Sequence, residues 1–332
     1  MSNLFLYIAG FAASATLVIY SGTKLAKYGD IIAEVSGMGK AWFGLILMAA
    51  VTSLPELFTG VSAVLFVGSP DIAVGDIMGS CAFNLLILAI LDYFIKGRPI
   101  SSAVSKSHIL AGFFSILLVT LAVIAIVFNS SFPVIGWFSS SSLLLGAVYI
   151  IAIFLLFRQE QQGITRQPAQ AVPAVIPVQT AVKKYTGFAL LVIAGALLLP
   201  WFADHIADAT GLSKSFTGTL LVAATTSLPE LTVSVAAVRM GSPDIAVGNL
   251  LGSNIFNLLI LSLDDLLYSS GPILAATSPN HALSGLFTLL MTAIAGIGIL
   301  ISVPKKRFAL AADAAIIIVL YLVLVTTLYH LK

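Results

Sequence analysis

The sequence predicts an all-α membrane protein with ten transmembrane helices arranged as two inverted five-helix repeats. Three observations carry that prediction. Of the 332 residues, 59% are hydrophobic and only 9% charged, with a mean hydropathy of +1.07. The apolar runs are about 20 residues or longer, the length that crosses a bilayer as a helix. A polar block embedded in those runs occurs twice.

Composition sets the solvent. Soluble domains carry about a quarter charged residues, and a water-soluble fold could not hide this much apolar surface. Membrane-spanning chains are helical bundles or closed barrels, because every backbone polar group must be satisfied internally. Barrel strands would be about 10 residues long and strictly alternating, which these Leu-, Ile-, Ala- and Val-rich runs are not. The net charge of +2 does not point to nucleic acid, since the basic residues lie between spans. A lone Cys81 excludes an intramolecular disulfide and fits no metal cluster. The first apolar run lacks a basic leader and a small-residue cleavage site, so it reads as a retained helix.

Ten candidate spans follow, at about 4–24, 41–66, 71–95, 107–128, 134–157, 186–204, 215–239, 243–268, 282–302 and 308–330. Segment 158–184 is rich in Gln, Pro and Ala and reads as a flexible, partly extended linker between a first half, 1–157, and a second, 185–332. Assigning alternate loops to opposite faces puts 14 of the 16 basic residues on one side and leaves Lys214 and Lys332 on the other. The positive-inside rule makes the rich face, with the linker, cytoplasmic. Both termini and the loop near Ser69 then face outward, in a cell membrane.

The repeat gives the symmetry. TSLPEL at 52–57 recurs at 226–231, GSPDIAVG at 68–75 recurs at 241–248, and FNLLIL at 83–88 recurs at 256–261. The offset is 174 in the first block and 173 afterwards, so one residue has been lost. Shared hydrophobicity cannot produce matched Pro, Glu, Asp and Asn at matched spacing. Five spans separate the copies, and five is odd, so the halves lie upside down relative to each other. Inverted repeats are typical of secondary transporters, whose sites lie at mid-membrane between the repeats.

The repeated residues suit a cation. Pro55 and Pro229 cannot donate a backbone N–H and leave carbonyls near Ala49–Val51 and Ala223–Thr225 without a helix partner. A bound cation would satisfy these, as would water or a Ser/Thr hydroxyl in an ordinary proline kink. Glu56 and Glu230 follow each Pro deep in a span, where carboxylates by default mark an ion or proton path. Brought to about 6 Å at an effective dielectric near 20, the two would repel by roughly 3 kcal/mol. The pair therefore wants a divalent cation, two monovalents or protons. Thr52, Ser53, Thr226 and Ser227 offer hydroxyls beside these acids, and hard cations take oxygen ligands. Ser80 with Asn84, and Ser253 with Asn257, stand four apart and present a hydroxyl and an amide oxygen to one seam; interhelical hydrogen bonding alone would also explain them. Asp76 joins the stripe with Ser80 and Asn84, and its partner in the repeat is Asn249. It is a candidate third acid, or a vestibule residue.

Other motif residues read as structural. Ser69-Pro70-Asp71 and Ser242-Pro243-Asp244 look like helix N-caps with Pro at the first position and an acid in the first turn. Gly75 with Gly79, and Gly248 with Gly252, are small-residue pairs that let helices approach. Asp92, Asp264 and Asp265 lie near span ends and read as interfacial. His108, His205, His281 and His330 are scattered and suggest neither a proton relay nor a zinc site.

At the TSLPE and GS-x3-N blocks, each present twice, the chain resembles the calcium/cation antiporter superfamily, and the sodium/calcium exchanger family in particular. The resemblance covers the two repeats and the ten-span layout. It implies that Glu56 and Glu230 are the main acidic ligands. Thr52, Ser53, Ser80 and Asn84 would join Thr226, Ser227, Ser253 and Asn257, and the carbonyls of Ala49 and Ala223 would complete sodium sites. It further implies sodium entry coupled to calcium exit by alternating access, with spans 1 and 6 sliding past the rest. Some relatives carry Asp where this chain has Asn257, so this site is less acidic by one charge, which Asp76 could restore. The linker lacks the large calcium-sensing domains of animal exchangers.

The expected function is secondary active antiport, exporting Ca2+ in exchange for Na+; a proton-coupled exchanger of Ca2+ or another divalent is the alternative. A channel would need a continuous selectivity path, often from subunit symmetry. An intramembrane enzyme would need a nucleophile–base pair or a metal centre, and two Glu with scattered His supply neither. No cofactor is expected, since Ca2+ and Na+ are cargo. The expected partner is the lipid bilayer, with no nucleic acid and no obligatory protein.

Overall fold

A computed structural model describes residues 2–36, 48–163 and 177–331. These are almost entirely helical. The helices are α1 (Ser2–Ser36), α2 (Ala49–Thr52), α3 (Leu54–Ser62), α4 (Pro70–Phe94), α5 (His108–Val127), α6 (Ser140–Gly163), α7 (Val178–Thr210), α8 (Ala223–Thr226), α9 (Leu228–Arg239), α10 (Pro243–Leu267), α11 (Asn280–Ile301) and α12 (Ala312–His330). Wider π-helical turns, Ala63–Val67 and Thr217–Val222, extend α3 at its end and precede α8. One short hairpin pairs β1 (Val134–Ile135) with β2 (Phe138–Ser139).

Among the described residues, eight helices are long and apolar enough to cross a membrane, and the pair Lys214–Thr226 and Leu228–Arg239, bent by 43°, makes up to nine. The span expected at 41–66 is described only from residue 48; its helix Leu54–Val67 is shorter, and 41–47, with Lys40 and Arg166 of the basic face, lie outside the described residues. The segment expected to be an extended linker is helical at both described ends, because α6 runs on to Gly163 and α7 begins at Val178; its middle lies outside the described residues.

Burial sorts the helices into layers. In α4 and α10, 83% of the apolar window is enclosed, against 17% in α1 and 28% in α6 and α12, so the repeated helices form the centre. The outer helices turn Phe5, Leu6, Ile150, Phe154, Leu190 and Val319 outward, as lipid-facing surfaces require. Long α1 and α7 pair with each other, with Val18 and Ser14 of α1 against Gly195. Gly22 of α1 leaves room for the Pro229 ring, which brings α1 over one helix break. Ser62 donates to the Leu197 carbonyl at 2.5 Å and holds α3 to α7. At the centre, Gly75 and Gly79 of α4 face the Gly218–Thr219 backbone of the π-turn, where a Cβ on Gly79 would overlap Thr219 and Ala223. The expected close approach is therefore made by the first glycine pair.

Two pairs of ties repeat across the halves. His281 Nε2 lies 3.0 Å from Asp71 Oδ1, which also accepts from Ser278 N at 2.7 Å. His108 Nε2 lies 3.0 Å from Asp244 Oδ1, which accepts from Ser105 N at 2.7 Å. Asp71 and Asp244 thus do not act as simple caps of their own helices, and neither the Ser69 nor the Ser242 side chain makes a cap bond. They clamp each central helix to the opposite half. The second pair corrects the interfacial reading of Asp92 and Asp265, both fully buried. Asp92 accepts from Ile100 N at 2.7 Å and Ala311 N at 2.8 Å, and pairs with Lys306 at 2.9 Å. Asp265 accepts from Ile273 N at 2.6 Å and Ser139 N at 2.9 Å. Each satisfies loop N–H groups that would otherwise be buried without partners.

Candidate cation-binding site

Both copies of TSLPE break their helix at the serine. Ser53 (φ −86°, ψ 11°) separates α2 from α3, and Ser227 (φ −87°, ψ 5°) separates α8 from α9. Pro55 and Pro229 then sit in the first turn of the following helix, where a missing N–H costs least. This also places Glu56 and Glu230 in first turns, near the positive end of a helix dipole. Both acids are fully buried.

The two carboxylates are held alike. Glu56 Oε1 accepts from Ser80 at 3.3 Å, in its own half, and from Ser227 at 3.1 Å, in the other. Glu230 Oε1 accepts from Ser253 at 3.4 Å, in its own half, and from Ser53 at 3.2 Å, in the other. In each acid the second oxygen, Oε2, has no partner among the described residues. The serines therefore touch the acids directly, and the two halves interlock at this point.

Thr52 and Thr226 lie beside the acids. Thr226 donates to Asp76 Oδ1 at 2.9 Å and lies 3.4 Å from Ser80 Oγ. Thr52 faces Asn249 Oδ1 at 3.3 Å. Asp76 and Asn249 thus hold equivalent places, and Asp76 keeps a buried Oδ2 without a partner. Asn84 donates to Asn254 Oδ1 at 2.9 Å and keeps its own Oδ1 without a partner among the described residues, and Asn257 has none there beyond the neighbouring Cys81 thiol. Sequence reading passed over Asn254, which donates to the Cys81 carbonyl at 3.1 Å and stitches α10 to α4. The signal was the GSC/GSN difference between otherwise matching blocks.

One expectation needs correction. The carbonyls of Ala49 and Ala223 are not left bare by the prolines. Ala49 O accepts from Ser53 N at 3.0 Å and from the Thr52 hydroxyl at 3.3 Å. Ala223 O accepts from Ser227 N at 3.1 Å and lies 3.2 Å from the Thr226 hydroxyl, whose shorter bond is to Asp76. The reason is register. The serine N–H at each break still reaches back to the alanine carbonyl, so the bond that proline cannot return is the one to Val51 or Thr225.

The fully buried centre thus offers carboxylate, amide and hydroxyl oxygens, several without a protein partner. Among the described residues no three His, Cys, Asp or Glu side chains cluster as a metal centre. An all-oxygen set suits hard cations, six to eight oxygens for Ca2+, and two carboxylates match its charge.

Comparison with known proteins shows the family and the fold. The profile of the sodium/calcium exchanger protein family matches residues 6–158 and 185–330. The inner membrane protein YrbG of Escherichia coli K12 is 30% identical over 256 residues, 74% of each chain. The putative antiporter CaxA of Alkalimonas amylolytica is 29% identical over 248 residues, covering 73% of this chain and 75% of its own. Among solved structures, the sodium-calcium exchanger NCX_Mj soaked with Na+ and Sr2+ superposes with a TM-score of 0.65 at 24% identity, covering 98% of this chain and 99% of that one. The H+/Ca2+ exchanger CAX superposes with a TM-score of 0.70 at 16% identity, covering 98% and 86%.

Proposed function

The chain belongs to the sodium/calcium exchanger protein family, and from that premise we propose that it is a secondary active antiporter that exports Ca2+ in exchange for Na+ by alternating access. One observation carries the reading. Two buried glutamates, one from each half, are each oriented by a serine from either half and each keep one oxygen free. Such a centre holds one dication, or monovalent cations of the same total charge, and exchange between those two loads is antiport. Glu56, Glu230, Asn84 and Asn257 supply free oxygens; Thr52, Ser53, Ser80, Thr226, Ser227 and Ser253 supply hydroxyls; Ala49 and Ala223 supply carbonyls already shared with donors. Neutral oxygens at this density support sodium over a proton, which needs only a carboxylate.

The wider layout follows. Counting the bent 214–239 segment as one span, and the expected 41–66 as another, gives ten spans in two inverted halves, 1–157 and 185–332. The basic face with linker 158–184 is cytoplasmic, both termini are outside, and the host is a cell membrane. The protein needs neither a cofactor nor a protein partner.

Calcium-45 uptake into sodium-loaded proteoliposomes diluted into sodium-free buffer tests this. Uptake should require the sodium gradient and vanish in Glu56→Gln and Glu230→Gln. Uptake driven only by a proton gradient would replace sodium by protons as the coupling ion. No uptake from folded protein under either gradient would overturn the calcium assignment.

A further inference from the structure

One buried acid pair, Asp76 from the first half and Asp264 from the second, has no acidic counterpart across the pseudo-symmetry. Asp264, near the end of α10 and next to the residue that holds the β1–β2 hairpin, is fully buried, and neither carboxylate oxygen has a partner among the described residues. It was expected at an interface and is instead enclosed. Its carboxylate lies over Gly60 of α3, where an added Cβ would overlap both oxygens. Gly60 stands four residues from Glu56, about 6 Å along the same helix face.

Pseudo-symmetry shows what faces it. In the second half, Asn249 meets Thr52 through Oδ1 at 3.3 Å and donates Nδ2 to Ser234 at 3.3 Å. In the first half, Asp76 meets Thr226 through Oδ1 at 2.9 Å, so its unpartnered Oδ2 takes the place of that Nδ2. By the 174-residue offset the counterpart of Ser234 is Gly60, which has no side chain to receive it. The space is filled by Asp264, whose own counterpart is Leu91. Asp264 thus lies at Gly60 by contact and Asp76 Oδ2 faces it by symmetry, and neither has a hydrogen-bond donor there among the described residues. An uncompensated charge so enclosed is costly, and a cation removes that cost.

We propose that Asp76 and Asp264 form a second cation site, taking a hard divalent ion such as Ca2+, one turn of α3 from the central glutamates. It rests on the antiporter reading and adds a holding station on the side where α4 begins. The equivalent places on the other side are neutral, Asn249 and Leu91, so the station serves one side only. Carboxylates of both residues supply the charge, and water completes the oxygen shell.

Equilibrium binding of calcium-45 to the purified full chain tests it, using the Glu56→Gln/Glu230→Gln protein to silence the central site. That protein should retain a single equivalent of Ca2+, and adding Asp264→Asn should abolish it. If Asp264→Asn does not yield monodisperse protein, Asp76→Asn in the same background should have the same effect. The station is overturned if the folded double variant binds no Ca2+, or if its residual binding survives both asparagine changes. Failure of the parent reading looks different. Wild-type protein that shows no gradient-driven uptake yet keeps Asp264-dependent binding would sink antiport and leave the station standing.

Discussion

Replacing His281 with alanine probes the clamp between the halves. The ring is fully buried and its Nε2 lies 3.0 Å from Asp71, which is 28% exposed. Losing a hydrogen bond to a carboxylate costs about 1.5–3 kcal/mol, and the vacated ring volume adds roughly 1–2 kcal/mol. Asp71 keeps Ser278 N at 2.7 Å, which holds the total to about 3–4 kcal/mol. His108→Ala breaks a bond of the same length, but Asp244 is 45% exposed. Water screens that partner, so the ionic part falls to about 0.5–1 kcal/mol and the total to about 2 kcal/mol. At about 2 °C per kcal/mol for a chain of this size, thermal unfolding in detergent should drop by about 6–8 °C for His281→Ala and about 4 °C for His108→Ala. A double-mutant cycle with Asp71→Ala should show coupling of about 1 kcal/mol or more. The reverse order of the two histidine variants, or additivity in the cycle, would refute the clamp.

Three further outcomes follow from the same geometry. Lys306→Met removes one partner of a buried ion pair (Lys306 is 5% exposed and Asp92 fully enclosed); it should cost about 3 kcal/mol, read by thermal unfolding, the low end of the range because two backbone N–H groups remain on Asp92. Ser227→Ala and Ser53→Ala each strip one cross-half donor from a glutamate, and each should raise the calcium concentration for half-maximal uptake by about tenfold. Unequal effects beyond severalfold would argue against an equivalent role. Asn257→Asp adds a charge at a side chain whose one neighbouring donor among the described residues is the Cys81 thiol; calcium binding, measured calorimetrically, should tighten by at least about tenfold, and unchanged affinity would place residue 257 outside the shell.

How much the sequence revealed depended on whether a feature was local. The TSLPE breaks were legible because proline and serine act on their own turn. Duplication marked Glu56 and Glu230 without any knowledge of contacts. The histidine–aspartate clamps were also written there, as P-I-x4-S-x2-H at 99–108 and again at 272–281. They were overlooked because the second half of the repeat is short on identities. Asp264 could not have been placed, since its surroundings are created by the missing side chain of Gly60 on another helix and its repeat counterpart is leucine. Of the carbonyls expected near Ala49–Val51 and Ala223–Thr225, those of Ala49 and Ala223 keep backbone donors, two residues before the ones that proline frees, because the serine at each break still bonds back. The π-turns at Ala63–Val67 and Thr217–Val222 arise from packing against neighbours and leave no pattern in the chain.

Reciprocal donation at the glutamates carries a consequence for ancestry. Neither half finishes its own carboxylate, because Glu56 borrows Ser227 and Glu230 borrows Ser53. A primitive gene encoding one copy would have made a subunit with a half-built centre, useless until it met a second subunit lying the other way up in the same bilayer. Fusing two such genes would remove the need for dual insertion and fix one of each orientation per molecule. It would also let the two copies drift apart, as Asp76 against Asn249 and Asp264 against Leu91 now differ.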